Sequence, residues 1–114
     1  MTYARVWRFR PLPAAVEGFE TACGPEGDWA RLFRTAEGFV GTTLLKGEGT
    51  PAEYLTLDRW VSRDVYQRFR RDRSAEFTAL DRQCEALTAV EKEIGAFDEL
   101  APWEGAVSGS RRGP

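Results

Sequence analysis

Carboxylates, tyrosines and two cysteines are the side chains in this 114-residue chain that could do chemistry, because the sequence contains no histidine and no asparagine. Histidine changes charge near neutral pH, which suits it to general-base catalysis and to metal binding. Its absence excludes Ser-His-Asp and Cys-His catalysis, histidine-based zinc or iron sites and histidine-ligated haem. CxxC, GxGxxG and GxxxxGK[ST] motifs are also missing. We therefore predict no metal site and no bound cofactor.

The two cysteines, Cys23 and Cys84, fall on the apolar stripes of two predicted helices. A disulfide between them requires those helices to touch, and neither thiol has the evident activating partner that thiol catalysis usually requires. The N-terminus lacks the basic and apolar pattern of a signal peptide. We therefore expect a cytoplasmic protein with buried, reduced thiols.

Length and charge limit the class of protein further. We predict one domain over residues 1–103, and a disordered tail over residues 104–114 because EGAVSGSRRGP has nothing to bury. A net charge of −2 and a pI near 5.2 argue against nucleic-acid binding, which needs a basic surface. The sequence contains no apolar run of the roughly 20 residues that a membrane helix needs, so we expect no membrane partner.

The segment from Gly38 to Phe69, GFVGTTLLKGEGTPAEYLTLDRWVSRDVYQRF, organises the rest of the chain. Two extended runs, Phe39–Lys46 and Tyr54–Trp60, flank a Gly/Pro loop and predict an antiparallel hairpin, after which Ser62 caps a helix. Side chains alternate along a strand, so Tyr54, Thr56, Asp58 and Trp60 share one face and Leu55, Leu57, Arg59 and Val61 share the other. Neither face is the polar one that a half-exposed strand shows. We interpret the strand as covered on both sides, by its own helices and by a second subunit.

The remaining segments predict the order strand, helix, strand, strand, helix, strand. This order indicates an α+β fold of the ferredoxin-like split β-α-β type (βαββαβ), with helices on one face of a four-stranded antiparallel sheet. A sheet-to-sheet homodimer is the economical way to cover the open face. The predicted segments outside the hairpin are a strand at 2–10, a helix at 14–23, a short helix at 29–35 capped by Asp28, helices from Ser62 and from Ser74, and a strand at 91–100.

The runs GFVGTTLL and YLTLDRWVSRDVYQRFR resemble the antibiotic biosynthesis monooxygenase domain, a dimeric α+β barrel. The family pattern has a strand that ends in an acidic residue and a tryptophan, followed by a helix that begins at serine and carries an aromatic residue. The resemblance covers residues 3–100. Its matching positions are Asp58, Trp60, Ser62, Tyr66 and Phe69.

The resemblance implies a cofactor-independent monooxygenase or quinol oxidase that acts on a small hydroxylated aromatic. The substrate's own carbanion or enolate would react with O2, while the protein holds the phenol, stabilises its anion and excludes water. A haem-degrading branch of the family uses an asparagine on the first strand and a histidine on the later helix. This chain contains neither residue type.

The resemblance also suggests roles for individual residues. Asp58 would accept the phenolic proton if burial raises its pKa, and Tyr66 would donate a hydrogen bond to the substrate anion. Alternatives are an ion pair between Asp58 and an arginine, plain core packing of Trp60 and Tyr66, and a plug at one end of the core for Trp29. The predicted substrate-binding residues, between the sheet and the helices, are Trp7, Phe9, Trp29, Phe33, Arg59, Trp60 and Phe69.

Two other functions remain open at this point. The chain could be a non-catalytic dimeric module that binds a small hydrophobic molecule or a partner protein, which the missing asparagine and histidine favour. It could also be an isomerase or cyclase that uses the same acid and base residues without oxygen, because one fold hosts several activities.

Overall fold

Four strands pair into one antiparallel sheet in the computed structural model, which describes residues 1–100. The strand order across the sheet is β2-β3-β1-β4, so the split β-α-β topology predicted from the sequence is confirmed. The predicted boundary at residue 103 and the predicted tail lie outside the described residues. The elements in chain order are β1 (Thr2–Pro11), α1 (Val16–Cys23), α2 (Asp28–Phe33), β2 (Phe39–Lys46), β3 (Tyr54–Trp60), α3 (Arg63–Asp72), α4 (Ser74–Leu87) and β4 (Thr88–Glu99).

Most predicted boundaries agree with these elements, and two differ for local reasons. The fourth strand begins at Thr88, directly after α4, and not at the predicted Glu91. The Thr88 hydroxyl donates to the carbonyl of Cys84 (3.2 Å), which satisfies a carbonyl at the end of the helix while the backbone turns into the strand. The short helix begins at Asp28, whose side chain lies in its first turn, and Gly27 occupies the N-cap position.

The helices cover one face of the sheet and build two aromatic clusters there. Trp60 has no exposed surface and contacts the rings of Phe33, Tyr66 and Phe69, with centroids 5.2 to 5.3 Å apart. Burying one such side chain contributes about 2 to 3 kcal/mol, so this cluster fixes α2 and α3 against β3. The second cluster consists of Phe9, Phe19, Cys23, Tyr54 and Cys84.

The alternation predicted for β3 is observed, and it determines which face the helices cover. Tyr54 and Trp60 are buried in the two clusters, which places Thr56 and Asp58 on the same helix-covered face. The opposite face carries Leu45 and Phe97, which are 47% and 50% exposed. Among the helices of residues 1–100, none has the length and apolar character that crossing a bilayer requires.

Candidate functional site

A cleft of about 40 Å3 lies between the helix-covered face of the sheet and the helices. This volume accommodates about three water molecules. Six of the twelve lining residues are aromatic, and one cationic and three acidic side chains lie among them. The lining residues are Arg5, Trp7, Phe9, Cys23, Trp29, Phe33, Thr56, Asp58, Tyr66, Phe77, Asp81 and Glu91.

Asp58 lies in the middle of β3, and its carboxylate is held by one neighbour on β2. The hydroxyl of Thr42, directly opposite Asp58 in the strand pair, donates to Asp58 Oδ1 (2.7 Å). Burial raises the pKa of Asp58 to about 6, because its effect exceeds the lowering by the Thr42 hydrogen bond. Within residues 1–100, no arginine or lysine forms an ion pair with Asp58. The described part of the chain therefore does not show the ion pair with an arginine that was considered as an alternative role for this residue. A carboxyl group with this pKa can accept a proton near neutral pH.

Tyr66 reaches the cleft because the first turn of α3 is fixed by a capping serine. Ser62 Oγ accepts a hydrogen bond from the backbone N–H of Val65 (3.2 Å), as predicted for an N-cap. The Tyr66 hydroxyl accepts a hydrogen bond from Arg70 Nη1 (2.9 Å), which leaves its own proton available for an acceptor in the cleft. Its ring packs against Trp60, so Tyr66 belongs both to the core and to the wall of the cleft.

Arg5 is a cleft residue that the sequence reasoning did not select. Its guanidinium lies over the Tyr66 ring (4.7 Å to the centroid), donates to the Tyr3 hydroxyl from Nη1 (3.0 Å) and pairs with Glu93 through Nη2. Its Nε is enclosed and has no hydrogen-bond partner among residues 1–100. The signal was present in the sequence, because strand alternation puts Arg5 on the same face as Tyr3 and Trp7.

The predicted substrate-binding residues divide into three groups in the structure. Trp60 and Phe69 pack beside Tyr66 in the core and do not line the cleft. Arg59 lies on the opposite face of the sheet, where it bonds Thr43 Oγ1 (2.9 Å) and Glu99 (3.0 Å); the alternation of side chains keeps it away from the space that Asp58 faces. The ones that line the cleft are Trp7, Phe9, Trp29 and Phe33.

Trp29 and Phe77 form the helix-side wall of the cleft. Trp29 projects from α2 and Phe77 from α4, and their rings meet edge to face with centroids 4.9 Å apart. Both side chains are half-buried, and they pack against the first aromatic cluster. Trp29 therefore combines the two roles considered for it, since it covers the core and lines the cleft.

Three carboxylates from α4 and β4 cluster beside the cleft, and two of them, Asp81 and Glu91, line it. Oxygen atoms of Asp81, Glu85 and Glu91 lie within 4.8 Å of one another. Burial and a hydrogen bond with Asp81 raise the pKa of Glu91 to about 7. This part of the cleft therefore becomes more negative as the pH rises through neutrality.

The two thiols lie in the second aromatic cluster, on α1 and α4. Cys23 and Cys84 are free, and they are 2% and 4% exposed. A hydrogen bond with the Cys23 thiol, together with burial, holds the pKa of Cys84 well above its usual range. The Cys84 thiol is therefore protonated at neutral pH and is a poor nucleophile.

Comparison with known proteins gave matches among solved structures. No protein-family model and no curated protein matches the sequence. A variant of SnoaB, a cofactor-independent oxygenase from Streptomyces nogalater, with one asparagine changed to alanine, is 24% identical with a TM-score of 0.68 over 89% of this chain and 95% of that chain. Unsubstituted SnoaB is 21% identical with a TM-score of 0.62 over 89% and 93%.

A second similar structure comes from Bordetella bronchiseptica, from a protein provisionally assigned as an antibiotic biosynthesis monooxygenase. It is 18% identical, with a TM-score of 0.66 over 88% of this chain and 98% of that chain. At such identities the likeness establishes the fold. The resemblance predicted from the sequence is thus confirmed at that level, and this chain has the α+β fold of the antibiotic biosynthesis monooxygenases.

Proposed function

We propose that this protein is a cofactor-independent oxygenase that acts on a small hydroxylated aromatic such as a naphthol, an anthrone or a quinol. One observation carries the proposal: Asp58, with a pKa near 6 and no cationic partner among residues 1–100, lies in a cleft of which half the lining residues are aromatic. The fold shared with SnoaB, a cofactor-independent oxygenase, supports the same reaction class.

The proposed reaction uses the protein for binding and proton transfer and leaves the oxygen chemistry to the substrate. An aromatic ring would lie against Trp7 and Phe9, and Asp58 would accept the substrate proton. Tyr66 would donate a hydrogen bond to the resulting anion. With an anthrone or the keto form of a naphthol, the electron-rich carbanion then reduces O2, so that the CH2 group becomes C=O and the second oxygen atom leaves as water. A quinol anion would instead transfer two electrons to O2 and give a quinone and H2O2.

Binding of a ring requires the cleft to widen. The volume of about 40 Å3 is far below the roughly 300 Å3 at which ligand pockets usually begin. Trp29 and Phe77 are the side chains that could open it, because both are half-buried and are held by ring contacts, with each other and, for Phe77, with the Arg70 guanidinium 3.8 Å from its ring centroid. Closure of these rings over the substrate would then exclude water from the anion.

We further propose that the open sheet face forms a homodimer in the cytoplasm. Leu45, Leu57 and Phe97 give this face an apolar surface, and burying several hundred Å2 of it would contribute at about 25 cal/mol per Å2 before ordering costs. The two free thiols fit a reducing compartment.

Oxygen consumption with a panel of naphthols, anthrones and quinols, measured in the presence of a chelator, tests the activity. We expect uptake that falls in both Asp58→Asn and Tyr66→Phe. Turnover that is unchanged in both variants would contradict the assigned roles, and no uptake by the wild-type protein with any member of the panel would contradict the function.

A non-catalytic binding module is the second candidate, and the small cleft favours it. The SnoaB variant replaces an asparagine, whereas this chain contains none, so an amide that the relative possesses has no equivalent of the same type here. Saturable binding of an aromatic without oxygen uptake would support the binding module. Product formation without oxygen uptake would instead indicate an isomerase or cyclase.

A further inference from the structure

We propose that Arg5 stabilises the negative charge that forms on the bound hydroxyl group when that group loses its proton, so that the cleft favours aromatics with an ionisable hydroxyl. The inference rests on the proposed function for its substrate class. It assigns the anion-stabilising charge to β1, a strand on which the sequence reasoning placed only aromatic binding residues.

The register of the sheet places the two charged groups side by side. Arg5 and Asp58 are direct partners in the β1–β3 pair, and both line the cleft. Side chains at opposed positions have Cβ atoms about 5 Å apart. A hydroxyl oxygen between them could transfer its proton to Asp58 while its developing charge stays within reach of the guanidinium.

Arg5 also has a donor without a partner, which a ligand could reach only after the cleft widens. Its Nη1 donates to Tyr3 and its Nη2 pairs with Glu93, whereas Nε is enclosed without a partner among residues 1–100. An unpaired buried donor costs about 1 to 3 kcal/mol, and an acceptor on a ligand would recover that cost. The tyrosine hydroxyl and the Glu93 carboxylate hold the guanidinium in position before the ligand arrives.

The charges around the cleft favour a ligand whose negative charge is confined to the oxygen beside Arg5. Arg5 is the one cation among the residues that line the cleft within the described part of the chain, whereas three lining residues are acidic. An aromatic carboxylate would meet repulsion from these acids, but a phenol becomes negative only at the oxygen beside Arg5. The titratable and charged groups around Arg5 and the cleft are Tyr3, Cys23, Asp58, Tyr66, Arg70, Asp81, Glu91 and Glu93.

The test measures the pKa of bound 2-naphthol, whose phenolate absorbs at longer wavelength than the phenol. The titration is done in Asp58→Asn, because that carboxylate would otherwise exchange protons with the probe. We expect the bound probe to have a pKa at least about one unit below that of free 2-naphthol, which means about tenfold tighter binding of the phenolate.

Three further substitutions in the same background isolate Arg5. Arg5→Gln should abolish the shift, and Glu93→Gln should enlarge it because the guanidinium loses its competing anion. Arg8→Gln is the matched control, since Arg8 also has an enclosed, unpartnered Nε but lies on the other face of β1. Far-ultraviolet circular dichroism verifies that each variant is folded.

An unchanged shift in Arg5→Gln, an equal affinity for phenol and phenolate, or no binding of 2-naphthol would overturn the inference. The comparison with oxygen uptake separates it from the proposed function. If the pKa shift of the bound probe depends on Arg5 but no oxygen is consumed, the anion site is supported and the proposed oxygenase function is contradicted. If oxygen is consumed but the pKa shift does not depend on Arg5, the oxygenase function is supported and the anion site is contradicted.

Discussion

Arg5 and Asp58 occupy directly opposed positions on β1 and β3, yet their side chains do not pair with each other. The guanidinium turns toward Glu93 and the Tyr66 ring, and the carboxylate turns toward Thr42. Adjacent opposite charges normally pair, so here a cation and a proton acceptor lie on neighbouring strands of one cleft without neutralising each other. Each of the following predictions tests a part of this arrangement or of the fold that holds it.

The pKa of Asp58 predicts how stability changes with pH. Because burial raises the pKa from 3.8 to about 6 in the folded state, the stability present below pH 4 is lost as the pH rises through 6. Asparagine does not ionise, so Asp58→Asn removes this loss of stability. Its side-chain oxygen can still accept the hydrogen bond from the Thr42 hydroxyl. Urea unfolding should show the variant more stable than wild type by about 3 kcal/mol at pH 8 and equal to it near pH 4. A constant difference between the two proteins at both pH values would contradict the assigned pKa.

Tyr66→Phe should reduce catalysis more than binding. The lost O–H would stabilise an anion that forms during the reaction, so we expect kcat to fall about tenfold to a hundredfold while KM changes little. Tyr54→Phe is the control, because the Tyr54 hydroxyl bonds Glu20 and the residue does not line the cleft. Steady-state oxygen uptake measures both parameters. Equal effects of the two substitutions would indicate a structural role for Tyr66.

Phe97→Asp should separate the proposed dimer. Phe97 is 50% exposed on the open face of the sheet, and a charge there would have to be desolvated in a sheet-to-sheet interface. Leu12→Asp places the same charge at a residue that is 41% exposed and lies between β1 and α1, outside the strands of the sheet. Sedimentation velocity should give a dimer for wild type and Leu12→Asp, and a monomer for Phe97→Asp. A wild-type monomer at micromolar concentration would exclude this interface.

Ser62→Ala should destabilise the protein by about 1 kcal/mol through the loss of its helix cap. Ser74→Ala provides the comparison, because Ser74 begins α4 without a side-chain capping bond and its change should stay within about 0.5 kcal/mol. Urea unfolding measures both. If the two variants are destabilised equally, the hydrogen bond from the Val65 N–H to Ser62 Oγ does not contribute to the stability of α3.

Local sequence patterns were sufficient for most of the fold. The bounds of β2 and β3 and the capping of α3 by Ser62 follow from alternation, turn residues and cap chemistry, which act within a few residues. The start of β4 was missed because α4 passes into the strand without a turn residue to mark the change. Strand alternation also separates Arg59 from Asp58, so the sequence already contained the reason why these two side chains do not share a cleft.

Local sequence patterns predicted the candidate site only in part. Sequence by itself determined which chemistry is absent, since a chain without histidine cannot use it, and which face of each strand a side chain occupies. Only the tertiary structure decided that Arg5 turns from Asp58 to Glu93 and that Cys23 meets Cys84. These contacts join residues on different elements, and their choice among several partners depends on distances and burial that no local pattern encodes.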